Sequence, residues 1–241
     1  GVSEDYSAVS LGLGYKADAW SFNSRIETRL AESEDKWNLL SGAIYEPRPG
    51  IGLSTGIQLW KTRSRLNNDS TKGDIRLGMA LRPSYLRWTL LDRLEYRFDA
   101  VDAQESDTQR LVNNLHLNYK AHAKLQVSLQ YGAKYVLDNL NDHTYRGFVD
   151  LVGGEMRYDL TPRWDVGLHS NLLHAWRANQ FDYSCGVSFG HLVMQNVWVS
   201  IGYNLAGFED KDFSRAAYTA QGPFVRLRIK FDQQTIRDML K

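Results

Sequence analysis

Apolar and polar residues alternate along this chain at period two, over stretches far longer than an ordinary strand. Trp20, Phe22, Ser24, Ile26, Thr28 and Leu30 share one face, and Ser21, Asn23, Arg25, Glu27 and Arg29 share the other. Ile51, Leu53, Thr55, Ile57 and Leu59 oppose Gly52, Ser54, Gly56 and Gln58. Ile75, Leu77, Met79 and Leu81 oppose Asp74, Arg76, Gly78, Ala80 and Arg82. Leu125, Val127, Leu129, Tyr131, Ala133 and Tyr135 oppose Gln126, Ser128, Gln130, Gly132 and Lys134. Successive side chains of a strand point to opposite faces, so strict alternation means a strand with one apolar and one polar face. Runs of ten or so residues exceed the globular strand average of about 5–6. A 3.6-residue stripe shows only in the short tail after Phe231.

Read this way, the chain divides into thirteen strands, with cores at 6–15, 20–30, 37–45, 51–61, 74–82, 85–98, 109–120, 124–136, 144–160, 163–174, 181–190, 196–208 and 219–231. The Gly153-Gly154 pair is expected to form a bulge that resets the alternation within 144–160. Residues 16–19, 46–50, 83–84, 121–123, 161–162 and 191–195 read as short turns. Residues 31–36, 62–73, 99–108, 137–143, 175–180 and 209–218 read as longer polar loops. Short turns on one side and long loops on the other mark an outer-membrane barrel. The expected fold is therefore all-β, an antiparallel up-and-down transmembrane β-barrel with about thirteen strands in this chain and 12–14 or more in the closed barrel. Residues 1–231 are expected to be the barrel and 232–241 a short periplasmic tail. Bacterial single-chain barrels have even strand numbers, so a further strand is expected upstream of Gly1.

Composition agrees and removes other classes. The net charge of +1 gives no basic field for nucleic acid. One cysteine, Cys185, excludes a disulfide scaffold, and it is expected on the apolar face with Tyr183 and Val187. No apolar run approaches the roughly 18 residues of a membrane helix. Aromatics are 12% of the chain. Tyr15, Trp20, Tyr45, Tyr119, Trp164 and Trp198 are expected in a belt at the short-turn side, and Trp60 and Tyr135 in a belt at the long-loop side. Such belts form because an amphipathic ring suits the headgroup layer.

The polar face is charged. Arg25, Glu27, Arg29, Asp74, Arg76, Arg82, Arg87, Arg93, Glu95, Arg97, Lys134, Glu155, Arg157, Arg226, Arg228 and Lys230 are the candidate lumen charges, twelve basic and four acidic. Acids in the long loops, such as Asp99, Asp102, Glu105, Asp107, Asp138, Asp142, Glu209, Asp210 and Asp212, offset that excess. An open lumen of this kind should prefer anions. A closed one needs a plug from loops or upstream sequence.

Enzymatic constellations are weak. His169-Ser170-Asn171 brings a lipid deacylase to mind, but adjacent strand residues face opposite ways. His116, His122, His143, His169, His174 and His191 are scattered, so neither a catalytic nor a metal or cofactor site is expected.

The last strand reads Gly222-Pro-Phe-Val-Arg-Leu-Arg-Ile-Lys-Phe231. It resembles the C-terminal assembly signal of outer-membrane barrels: Gly222, then Val225, Leu227, Ile229 and the terminal aromatic Phe231. Ten residues follow that Phe, where most such chains stop. With Trp198-Val-Ser-Ile-Gly-Tyr-Asn-Leu-Ala-Gly-Phe208, with Leu91–Phe98 and with Arg110–Tyr119, it resembles the C-terminal barrel of large, repeat-rich, adhesin-like surface proteins of Gram-negative bacteria. The resemblance implies a membrane anchor and conduit for surface-exposed domains of a longer chain. The implied partners are outer-membrane lipid and lipopolysaccharide, the barrel-assembly machinery and those upstream domains. An anion-preferring porin is the alternative, and an outer-membrane hydrolase the third reading.

Overall fold

Strict period-two patterning leaves each segment one way to hide its backbone: pairing with the next segment through a tight connection. The computed structural model describes residues 5–83, 86–102, 106–140, 143–194, 197–208, 210, 212–213 and 221–229. Its elements are β1 (Tyr6–Lys16), β2 (Trp20–Ala31), β3 (Glu34–Arg48), β4 (Ile51–Ser64), β5 (Ser70–Leu81), β6 (Trp88–Val101), β7 (Ser106–His122), β8 (Leu125–Leu140), β9 (His143–Asp159), β10 (Trp164–Ala175), β11 (Gln180–Met194), β12 (Val197–Ala206) and β13 (Gly222–Ile229). They hydrogen-bond in sequence order, β1 through β13, as one up-and-down sheet. Every register determined along it is antiparallel, as from Tyr6↔Ala31 to Lys16↔Ser21 between β1 and β2. All thirteen expected strands are present. β1 to β12 hold 10 to 17 residues each, at or above the about 9–11 residues that cross a bilayer when tilted.

The connections differ from the expectation. Several segments read as long polar loops are strand ends: β2 and β3 are separated only by 32–33, and β10 and β11 by 176–179. Cross-strand pairing continues past the apolar belt, because polar side chains do not stop a ladder whose backbone groups have partners. Loop lengths therefore do not sort cleanly by side; among connections made wholly of described residues, only 65–69 stays long on the expected one. Arg82 and Arg87 fall in the connection between β5 and β6, where alternation no longer assigns a face. The bulge at Gly153-Gly154 is not needed either. Leu151 and Gly153 are buried while Val152 and Met156 are exposed, so the alternation passes through the pair unbroken.

The chain comprises two compact units: Gly1–Leu115 with Gly132–Val149, and His116–Tyr131 with Asp150–Lys241. In the first unit many of the large apolar side chains are exposed, Leu11 by 75% and Leu77 by 51%, while Asp74 and Glu95 are buried. The second unit is inverted in the same way. Leu129, Leu168, Tyr183 and Val225 are exposed, and Ser128, Gln130, Asp165, Ser184, Ser200 and Asn204 are buried. Leaving a large aliphatic or aromatic side chain in water forgoes about 1.5–3 kcal/mol. Faces this apolar require a nonaqueous medium.

Candidate functional site

The polar face of the first unit carries a charge cluster on β5 and β6. Register sets Asp74 opposite Arg97 and Arg76 opposite Glu95. Period two also brings residues i and i+2 together on one face. Arg76 Nε lies 2.8 Å from Asp74 and 4.0 Å from Glu95, Arg93 Nε 2.8 Å from Glu95, and Arg97 Nε 3.5 Å from Asp74. Arg97 also holds the second oxygen of Glu95. Three arginines thus surround two carboxylates. The carboxylates are buried and the guanidiniums half-exposed, with their heads toward water. On β2, Arg25 pairs with Glu27 at 2.9 Å. Arg29 lies 3.7 Å above the ring of Tyr6.

The second unit repeats the ratio. Arg157 holds Glu155 at 2.6 Å and Asp165 at 3.6 Å, and Arg226 lies 3.9 Å from Glu155. Arg228 is the third cation, two residues along β13 from Arg226 and thus on the same face. Here two arginines hold the two carboxylates, and Arg228 adds a third cation to their face. Asp165 is the acid that sequence reading missed. It opens β10 beside Trp164, and its parity with His169 and Asn171 was the available signal. Around this cluster runs a band of uncharged pairs. Ser128 Oγ donates to Asn118 Oδ1 at 2.6 Å, the Asn171 amide donates to Ser184 Oγ at 2.9 Å, and His169 Nε2 lies 3.0 Å from Asn204 Oδ1. Gly153 and Gly186 make room for it: a Cβ at either would meet Asn171 or His169. Asn118, Ser128, His169, Asn171 and Asn204 from this band, with the charged cluster, border a cavity of about 970 Å³ within the second unit.

Tyr15, Trp20, Tyr119, Tyr135 and Trp164 are exposed. Tyr45 stacks on Trp20 with ring centroids 4.1 Å apart. Trp60 is exposed as well, but it and Trp198 differ from these in parity. Trp60 is paired with Asn38 and Lys72, two residues along from Gln58, which faces Asp74. Trp198 pairs with Arg228 and shares its parity with buried Ser200 and Asn204. Both indoles are therefore on the polar face, and the expected belts lose them. Their own neighbours in the chain carry that parity.

At the final strand, Gly222 has φ +135° and opens β13. Val225 and Leu227 are exposed. Ile229 pairs with Val197. Lys230, Phe231 and residues 232–241 lie outside the described residues, as do Glu105, Asp142 and Glu209. The expected loop acids Asp99, Asp107 and Asp138 sit in strands instead. Asp99 holds Lys72 at 2.8 Å, and Asp138 accepts from Thr108 Oγ1 at 2.8 Å. Cys185 lies between Tyr183 and Val187 in alternation, opposite Ser170. Ser170 and His169 face opposite ways and form no nucleophile–base pair.

No family model matches the chain. No curated protein matches it. Among solved structures it is similar to the siderophore receptor PirA from Pseudomonas aeruginosa, with a TM-score of 0.67 at 12% identity, over 95% of this chain and 50% of that one. It is also similar to the outer membrane channel DcaP of Acinetobacter baumannii, with a TM-score of 0.57 at 9% identity, over 93% of this chain and 85% of that one. The chain thus spans half the length of the receptor it matches. The likeness is one of fold. The chain has the all-β, up-and-down architecture of bacterial outer-membrane β-barrel proteins, a fold whose place is the outer membrane.

Proposed function

We propose that the chain is an outer-membrane channel whose polar face conducts small anions in preference to cations. One observation carries this reading: on the polar face of each unit one charge cluster sets three arginines beside two carboxylates. On β2, Arg25 and Arg29 face one acid, Glu27. Buried carboxylates hold the guanidiniums in place and leave each group with a surplus positive charge. Surplus charge fixed along a water-filled passage attracts counter-ions and repels co-ions. Planar-bilayer recording of the refolded chain tests the reading. Steady current with a reversal potential favouring chloride over potassium supports it, and cation selectivity overturns it.

The resemblance of 198–208 and 222–231 favours a second reading, an anchor for surface-exposed domains of the same chain. In that case an acidic segment from a loop or from upstream sequence would occupy the lumen and neutralise the arginines. A bilayer that is silent until such a segment is deleted supports the anchor. Both readings imply lipopolysaccharide and the barrel-assembly machinery as partners.

A further inference from the structure

Asp92 lies on the apolar face of its strand. Register sets it opposite Met79, next to the pair Leu77↔Leu94, while Arg93 and Glu95 point to the other face. Its partner is Asn113 on β7, whose Nδ2 donates to Asp92 Oδ1 at 2.8 Å. Asn113 has the parity of exposed Leu111, and its neighbours Val112 and Asn114 are buried. Tyr96 and Gln109, bonded at 3.0 Å, continue the polar seam on this face. The apolar face of β1 carries Val9, Leu11, Leu13 and Tyr15 instead. Asp92 is four residues from the β6 end at Trp88 and nine from the end at Val101. Asn113 is seven residues from Ser106 and nine from His122, the ends of β7. Four residues of strand span about 13 Å, farther than an aspartate side chain reaches toward the headgroups. Hydrocarbon supplies no hydrogen-bond donor, and an ionisable group within it is expensive. Asp92 Oδ2 has no partner among the described residues. The remaining N–H of Asn113 has only the Arg93 carbonyl, at 3.5 Å, beyond the about 2.7–3.2 Å of a well-formed bond. The pair thus keeps one acceptor and one donor in reserve, side by side.

We propose that this face docks a second copy of the chain, as a two-fold dimer in which Asn113 of each copy donates to Asp92 of the other. A two-fold interface sets one patch against itself, so the patch must be self-complementary. A reserve donor beside a reserve acceptor meets that condition. Each Asp92 then accepts from two amides, and both reserve groups are filled. Met79 and Leu111 flank the pair and give the contact an apolar margin. Apolar contact alone does not favour a protein neighbour over lipid, which is as apolar as leucine, so the polar pair supplies the preference. The proposal stands whether or not the chain conducts ions.

The test is sedimentation equilibrium of the refolded chain in density-matched detergent. A monomer–dimer equilibrium is expected. D92L/N113L makes the face uniformly apolar, so it should fold as well as the original chain and dimerise about tenfold or more weakly, the scale of a lost charge-assisted hydrogen bond. D92N keeps an acceptor and removes the charge, and should dimerise at least as tightly. Retention of the folded, heat-modifiable electrophoretic form checks that each variant folds. In liposomes, with Cys185 replaced by alanine, a short thiol-reactive cross-linker should join two copies of L111C and leave L11C, on the apolar face of β1, unjoined. A monomer at every concentration, undiminished dimerisation of D92L/N113L, or linking of L11C as readily as L111C would each overturn the proposal. Loss of the dimer in D92N would overturn the amide–carboxyl pairing, and a trimer would overturn the two-fold arrangement.

Discussion

Glu95 is 2% exposed and has Arg76, Arg93 and Arg97 around it, whereas Glu27 meets Arg25 in the open. The difference decides what each acid contributes. Breaking a buried pair strands its partners and costs about 3–5 kcal/mol, while an exposed pair is worth about 0–1 kcal/mol. Glu95→Gln should therefore lower the unfolding free energy of the refolded chain by an amount in the first range, read as a lower urea midpoint, and Glu27→Gln should hardly move it. Equal midpoints for the two variants would show that the cluster does not organise the polar face. At this scale most of the charged residues were legible in sequence, because alternation places a residue on a face without knowledge of its partners. Their pairing was legible only in part. Neighbours i and i+2 could be read along a strand, as for Glu155 and Arg157, but the link from Arg157 to Asp165 depends on strand pairing that the sequence does not print. For Trp60 and Trp198, parity with Gln58 and Ser200 fixes the face, and distance from a strand end does not.

Each strand carries the division between its two faces, so a single substitution can test it. Leu77 is exposed on the apolar face of β5, and Gln58 on β4 lies opposite Asp74 on the polar face. Leu77→Arg should destabilise the chain in lipid by about 2–4 kcal/mol, the cost of arginine at a bilayer midplane. Gln58→Arg places the same side chain beside an acid and should be nearly neutral. Unfolding titrations in liposomes compare the two, and a larger loss for Gln58→Arg would mean that the faces are exchanged. The turn between β3 and β4 offers a second test. Gly50 has φ +86°, and a Cβ there would run into the carbonyl of Arg82. Gly50→Ala combines that clash with a left-handed backbone that alanine resists, so a loss of about 1–3 kcal/mol is expected in the same assay. Strand number and order were readable because period two persists for ten residues or more. Strand ends were not, since hydrogen bonding ignores the polarity change that sequence reading took for a loop.

For the chain as a whole, the central claim is that its apolar faces meet lipid and its polar faces meet water. Both units are largely inverted relative to a soluble protein, with carboxylates, amides and hydroxyls buried and many leucines, valines and aromatics exposed, although Val112, Leu151, Leu173 and Phe213 are buried. The fold shared with outer-membrane barrels gives that inversion its medium. The most direct measurement is site-directed fluorescence in liposomes. Cys185 is first replaced by alanine, and single cysteines are then introduced at Leu77, Leu129 and Leu227 and, for comparison, at Gln58, Ser200 and Arg226. Each carries an environment-sensitive label, read against brominated lipid and against aqueous iodide. Labels at the three leucine positions should be quenched by brominated lipid and protected from iodide, with the opposite pattern at the three polar positions. Equal quenching at both sets, or lipid quenching at Ser200 and Arg226, would contradict the assignment of faces and the channel that rests on it.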